Sequence, residues 1–165
     1  MQTRAKALGH QIHPMLVTFP LGLLATGVIF DIVYLATDRH GFEIAAAYTI
    51  GAGVIGGLLA GLFGMIDAAA IPSRTRAKRI GLLHGLGNVV ALVLFGISWI
   101  LREQGVAWHA SAVALILGFV GIVLLAGTSW LGGELVERLG VGVDPNADVN
   151  ASSSLSSQHG GLTSH

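Results

Sequence analysis

Four apolar runs separated by three short polar breaks organise this chain. They extend from about Pro14 to Ala36, Ile44 to Ile71, Ile80 to Leu101 and Ala110 to Leu135. A membrane-spanning helix needs about 20 mostly apolar residues, and each run meets that length. The breaks, Thr37–Glu43, Pro72–Arg79 and Arg102–His109, are short, and short connections make consecutive helices antiparallel. The pattern predicts an all-α integral membrane protein, a four-helix up-down-up-down bundle over residues 10–144. A short basic segment, 1–9, precedes it. A polar tail, 145–165, rich in Ser, Gly and Asn and without hydrophobic periodicity, follows it and is predicted to be disordered. The first run is expected to remain as a span. It exceeds the 7–15 apolar residues of a cleavable leader, holds Asp31, and is followed by no A-x-A-like site.

Composition sharpens this picture. Of 165 residues, 53% are hydrophobic and 11% charged, less than half the charged share of about 25% in soluble domains. Formal net charge is zero, so no nucleic-acid partner is expected. Cysteine is absent, which removes disulfides, thiolate metal sites, iron–sulfur ligation and Cys catalysis from this chain. No P-loop and no G-x-S-x-G elbow occurs, so nothing points to a stand-alone enzyme. The 24 glycines suit close helix contact in lipid. They include Gly53-x-x-x-Gly57-x-x-x-Gly61 and Gly81-x-x-x-Gly85. Packing inside the bundle is the simpler use of these glycines, and homo-oligomerisation through the second span is the alternative.

Lys and Arg set the orientation. With four spans, both termini and the second break share a side. That side carries Arg4, Lys6, Arg74, Arg76, Lys78, Arg79 and Arg138, against Arg39 and Arg102 on the other. Both termini are therefore predicted in the cytoplasm of a bacterial cell, with Trp99 and Trp108 near the outer interface and Trp130 toward the inner one.

An ionisable group inside a span is a functional candidate by default. His10 and His13 stand i, i+3 apart where the first span begins. Asp67 lies five residues before Pro72, and His84 five after Arg79, each roughly 7–8 Å into its helix at 1.5 Å per residue. Glu134 closes the fourth span on the same side. Each helix thus brings a His or a carboxylate to one layer, with Asn88 one turn from His84 and able to orient it. His10, His13, Asp67, His84 and Glu134 form a nitrogen and oxygen donor set that suits Zn, Fe, Mn or Cu. Alternatively, His13 and His84 are axial ligands of a haem b, with Arg74, Arg76 and Arg79 near enough to pair with its propionates. Against both stand simple ion pairs, of Asp67 with Arg74 or Arg76 and of Glu134 with Arg138.

At the opposite end, Asp38, Arg39, His40, Glu43, Arg102, Glu103 and His109 read mostly as loop residues. Asp31, about four residues inside its span, is expected to pair with Arg39 or to cap water penetration. His40 and His109 could hold a second haem, but both sit in or beside breaks.

Several motifs in order resemble one family. They are His10-x-x-His13-Pro14, Phe19-Pro20-x-Gly22, Phe30-Asp31, Gly64-x-x-Asp67 with Ile71-Pro72, Gly81-Leu82-Leu83-His84-x-x-x-Asn88, and Gly132-Gly133-Glu134-Leu135-Val136 with Gly140-Val141-Gly142-Val143. Over about residues 9–144 the chain resembles the bacterial membrane-protein family called domain of unknown function 2231. Some relatives are fused to Rieske-type iron–sulfur domains, so the resemblance implies redox work with the electron partner on a separate protein.

The expected function is a membrane electron-transfer module. It would bind haem b or a transition-metal ion (Fe, Zn or Cu) near the cytoplasmic face and exchange electrons with a quinone or a redox protein. A small metal-transport component and a cofactor-free scaffolding subunit are the alternatives. Transport is disfavoured by the apolar midsection of the first span, where only Thr18 and Thr26 are polar.

Overall fold

The computed structural model describes residues 6–7, 10–151 and 153. The rest of the basic segment 1–9, and most of the tail expected to be disordered with His159 and His165, lie outside the described residues.

Four helices carry the fold: α1 (Ile12–Thr37), α2 (His40–Ala70), α3 (Arg76–Glu103) and α4 (Ala112–Gly133). Each is long and apolar enough to cross a membrane. Lys6–Ala7 and His10–Gln11 form a two-residue antiparallel strand pair before α1. A 3₁₀ turn, Val106–Trp108, sits between α3 and α4, and a π-helical turn, Glu134–Arg138, follows α4.

The helix ends follow from local chemistry. Thr75 and Ser111 cap α3 and α4, their hydroxyls accepting the backbone N–H of Lys78 and Ala114. Gly140, at φ 61°, ends the π turn in the left-handed conformation that glycine takes without penalty. There Gly140 N–H donates to Val136 and Val141 N–H to Leu135. Gln11 Nε2 donates to the Gly142 carbonyl, tying the entry of α1 to the exit of the bundle.

The start of α1 lies beside the end of α2, where His13 bonds Ala60, and the start of α3 beside the end of α4, where His84 bonds Thr128. The late turns of α1 and α3 meet through Asp31 and Arg102. Consecutive helices are therefore antiparallel. Packing is most extensive within the α1–α2 and α3–α4 pairs. Leu24, Val28, Ile50, Ala91, Phe95 and Leu125 form the core between them. Large apolar side chains such as Met15, Phe19, Ile55, Leu82 and Val123 face outward, as lipid requires. Gly53 and Gly57 abut Leu24 and Leu92 inside the bundle, while Gly61 and Gly85 face open space.

α1, α3 and the start of α2 run past the apolar runs. Only Asp38 and Arg39 separate α1 from α2, so His40 and Glu43 are helical rather than in a loop. Arg102 likewise belongs to α3. Hydropathy marks the depth of the lipid, whereas the hydrogen-bond ladder continues into the interface.

Candidate functional site

Two polar layers lie at opposite ends of the bundle. The first is built around His13 and His84. Their ring centres are 6.5 Å apart and their planes 87° to one another. Each imidazole is fixed by the helix of its own pair. His13 Nδ1 lies 2.9 Å from the Ala60 carbonyl and His84 Nδ1 2.8 Å from that of Thr128. Carbonyls only accept, so each ring carries a proton on Nδ1, which leaves Nε2 as the acceptor nitrogen of the neutral imidazole.

Glycine makes room for both rings. A Cβ at Gly64 would stand 2.9 Å from the His13 ring, and one at Gly132 3.1 Å from that of His84. Asn88 completes the arrangement. Its Nδ2 donates to the His84 carbonyl (2.8 Å) and reaches His84 Nε2 (3.2 Å), while its Oδ1 accepts from Thr128 Oγ1 (2.9 Å). The orienting role expected for Asn88 is present, extended by Thr128, which periodicity could not supply because it comes from another helix.

The remaining residues of this end are distributed around that pair. Glu134 bonds Arg76 at 2.6 Å. Its expected ion-pair partner Arg138 is replaced because the π turn aims Glu134 across to α3. Arg76 is thereby engaged, and Arg74 and Arg79 are exposed. Asp67 is buried on α2, nearly one turn past Gly64, and His10 is exposed in the strand pair. Among the described residues, no three His, Asp or Glu side chains form a group that could hold a metal ion. What the structure brings together is the His13–His84 pair, edge to face. Lys78 Nζ donates to the Ala68 carbonyl near the end of α2, which with the Arg76–Glu134 pair offsets the unfavourable placement of cations at the α3 N-terminus.

The second layer is more deeply buried and was largely missed by sequence reasoning. Asp31 pairs with Arg102, not Arg39 as expected. Arg39 flanks the turn and is exposed, whereas Arg102 sits one helical turn beyond Ser98 on the inward face of α3. Ser98 is fully buried, donates to the Ala114 carbonyl at 2.7 Å and lies 3.5 Å from Arg102 Nε. Glu43, also fully buried, accepts from the Ala110 N–H on one oxygen, which lies 3.1 Å from His109 Nδ1, and from His40 Nδ1 (2.6 Å) on the other. His40 and His109 thus turn toward one carboxylate. The available signal was helical spacing: Ser98 and Arg102 stand i, i+4. Beside this layer, Trp108 stacks near Trp99 (6.1 Å) and Tyr48 (5.5 Å).

Four long apolar helices with outward-facing aliphatic side chains define a multi-pass membrane helix bundle. The chain belongs to the family described as predicted membrane protein (DUF2231), whose model matches residues 9–145. No curated protein and no solved structure matches it.

Proposed function

We propose that the chain is a redox module of the bacterial cytoplasmic membrane, in which His13 and His84 together hold one haem b or one transition-metal ion. The observation that carries this is the pairing of the two rings. Two imidazoles on opposite sides of one metal, at metal–nitrogen bonds of about 2.0–2.1 Å, stand roughly 6–6.5 Å apart centre to centre. The observed 6.5 Å fits. Nδ1–H donation to a carbonyl is the arrangement that fixes the tautomer and orientation of metal-ligating histidine and makes Nε2 the ligand atom.

The bound metal would supply one-electron chemistry. The chain's own residues do the rest. Ala60 and Thr128 set ring orientation through their carbonyls, Gly64 and Gly132 let the rings seat against the helices, and Asn88, bonded to His84, holds that ring in place. For a haem, the exposed Arg74 and Arg79 are the guanidinium partners available to propionates, with Arg76 released from Glu134. Electrons would pass to a quinone or a redox protein in the same membrane.

The orientation proposed from sequence, with termini in the cytoplasm, gains support because Arg102 is sealed against Asp31. Among the described residues, this leaves Arg39 as the one exposed Lys or Arg near the opposite surface.

A specific observation favours a second reading. Asn88 satisfies His84 Nε2, so the layer is a closed network that could serve to lock α3 to α4 without a cofactor. Absorption spectra and metal analysis of the protein, purified in mild detergent from cells supplied with iron and haem precursor, separate the two. A Soret band near-stoichiometric with protein and lost in His84→Ala supports haem. Stoichiometric Fe, Zn or Cu without that band supports a metal ion. Neither signal leaves the locking network and ends the redox proposal.

A further inference from the structure

We propose that the seam between α2 and α3 binds one anionic phospholipid, with an acyl chain in the groove between the two helices and the phosphate on Arg74 and Arg79 at its foot. Two apolar grooves open on the bundle surface. One lies between α1 and α2 and is lined by residues such as Met15, Phe19 and Ile55. The other lies between α2 and α3 and is lined by Val54, Leu58, Val89, Leu92 and Val93. Charge distinguishes them. The first turn of α1 holds no Lys or Arg, whereas the loop joining α2 to α3 and the first turn of α3 hold Arg74, Arg76, Lys78 and Arg79.

Helix register carries the apolar surface down to those cations. Val93, Val89, Leu86, Leu82 and Arg79 recur on α3 at alternating four- and three-residue steps, which sets them on one face, and all are exposed. On α2, Leu58, Leu62, Met65 and Ala69 descend in the same way toward Pro72. From Arg79 to Val89 the rise is about 15 Å, the depth of one leaflet of a hydrocarbon core about 30 Å thick. The seam is also loose. α2 and α3 pack less extensively than α1 with α2 or α3 with α4. A Cβ at Gly57 would meet Leu92 and one at Gly81 would meet Ile71, so the two helices touch at those levels. Gly61 and Gly85 stand one turn further along the same faces and meet nothing within 4 Å.

The foot of the groove lacks an anion. Arg76 is paired with Glu134, and Lys78 donates to the Ala68 carbonyl. Arg74 and Arg79 are exposed and, among the described residues, form no ion pair. A guanidinium matches phosphate oxygens bidentately, and each basic side chain near the surface strengthens binding of anionic lipid about fivefold. Phosphatidylcholine offers the same phosphate together with its own cation and gains little from two arginines. The site goes beyond the redox reading and does not rest on it. Haem propionates would compete for the same arginines, so the test includes His84→Ala, which cannot hold a haem between the two histidines.

The test is native mass spectrometry of the full chain in mild detergent, titrated with dioleoyl phosphatidylglycerol or with dioleoyl phosphatidylcholine. One phosphatidylglycerol is expected to bind about tenfold or more tightly than phosphatidylcholine, in both the parent and His84→Ala. A preference confined to His84→Ala also supports the site and means that propionates compete for it. Arg74→Gln/Arg79→Gln should bring the two lipids to equal affinity. Arg138→Gln, which removes an exposed cation beyond α4, should leave the preference intact. Val89→Trp, a bulky change at an exposed position in the groove, should weaken both lipids several-fold. Equal binding of the two lipids in parent and His84→Ala overturns the proposal, as does a preference confined to the parent or one that survives loss of both arginines. An equal loss in Arg138→Gln, or unchanged affinity in Val89→Trp, overturns it too. Displacement by glycerol phosphate as effective as by intact lipid would mean a bare anion site, and a lipid-free dimer would mean that a second copy covers the seam. Either ends the proposal.

Discussion

Arg102 and Asp31 form a two-pronged ion pair, Nη1 to Oδ1 at 2.8 Å and Nη2 to Oδ2 at 2.6 Å, with side chains 0% and 1% exposed. The pair joins α1 to α3 and is held from behind by Ser98. Its fork geometry uses the planar guanidinium in a way lysine cannot reproduce. Breaking such a pair from one side strands a buried charge. Arg102→Ala is expected to cost about 3–5 kcal/mol, and the double variant Asp31→Leu/Arg102→Met to recover most of it. Unfolding in a graded denaturing detergent measures both. A double variant as unstable as Arg102→Ala would mean the ion pair itself, rather than the stranded charge, sets the cost.

That pair also marks where sequence reading stopped. The four helices were legible because lipid imposes about 20 apolar residues on each span. His13 and His84 were legible because both lie near the starts of the first and third spans, which run the same way and so bring them to a similar depth. The partner of Asp31 was not. Arg102 follows the last apolar residue of its run, where hydropathy sees a loop, and only helix phase below Ser98 turns it inward. Glu43 was lost for the same reason, since its burial depends on α2 starting at His40. Thr128 was invisible as a partner of Asn88 because the contact is between helices and neither residue is charged.

The glycines beside the histidines give a graded test. Gly64→Ala and Gly132→Ala place a methyl 2.9 Å and 3.1 Å from the His13 and His84 rings. Crowding of that kind costs about 1–3 kcal/mol or displaces the ring. Cofactor occupancy is expected to fall several-fold in both. Gly61→Ala and Gly85→Ala meet nothing within 4 Å and should be neutral or gain up to about 1 kcal/mol of helix stability. Equal loss of occupancy in all four would mean that glycine content, not ring seating, matters.

Asn88 separates the two readings of the first layer. In cofactor-free protein, Asn88→Ala leaves His84 Nε2 without its donor, at a cost of about 1–3 kcal/mol. When Nε2 ligates a metal, that donor is no longer needed. Thermal melts of the variant with and without cofactor should show the destabilisation shrinking on loading, with affinity equal to or above that of the parent. The same destabilisation in both states would favour the locking network.

Glu134 is expected to behave as an ion-pair partner rather than a ligand. Its bond to Arg76 is 2.6 Å, but Arg76 is 55% exposed, and exposed pairs contribute at most about 1 kcal/mol. Glu134→Gln should therefore change stability by no more than that and leave metal content at His13–His84 intact. A large drop in metal content would return Glu134 to the ligand set.

Orientation in the membrane is open to direct chemical mapping because the chain contains no cysteine, so any introduced thiol is unique. Gln104 is exposed just past α3, while Ser73 and Asn146 are exposed at the end that carries the termini. Single variants Gln104→Cys, Ser73→Cys and Asn146→Cys, treated on intact spheroplasts with a membrane-impermeant maleimide, should label at Gln104→Cys only. The other two should react after lysis. The expectation rests on charge. By sequence, Arg4, Lys6, Arg74, Arg76, Lys78, Arg79 and Arg138 fall on the side of the termini, and among the described residues, with Arg102 buried against Asp31, Arg39 is the one exposed Lys or Arg on the other side. Each basic side chain in a short loop resists translocation, so the inverse arrangement would carry seven such charges outward and keep one inside. Labelling of Ser73→Cys and Asn146→Cys before lysis would reverse the orientation, moving the His13–His84 pair to the outer face and the Glu43 histidines to the cytoplasm.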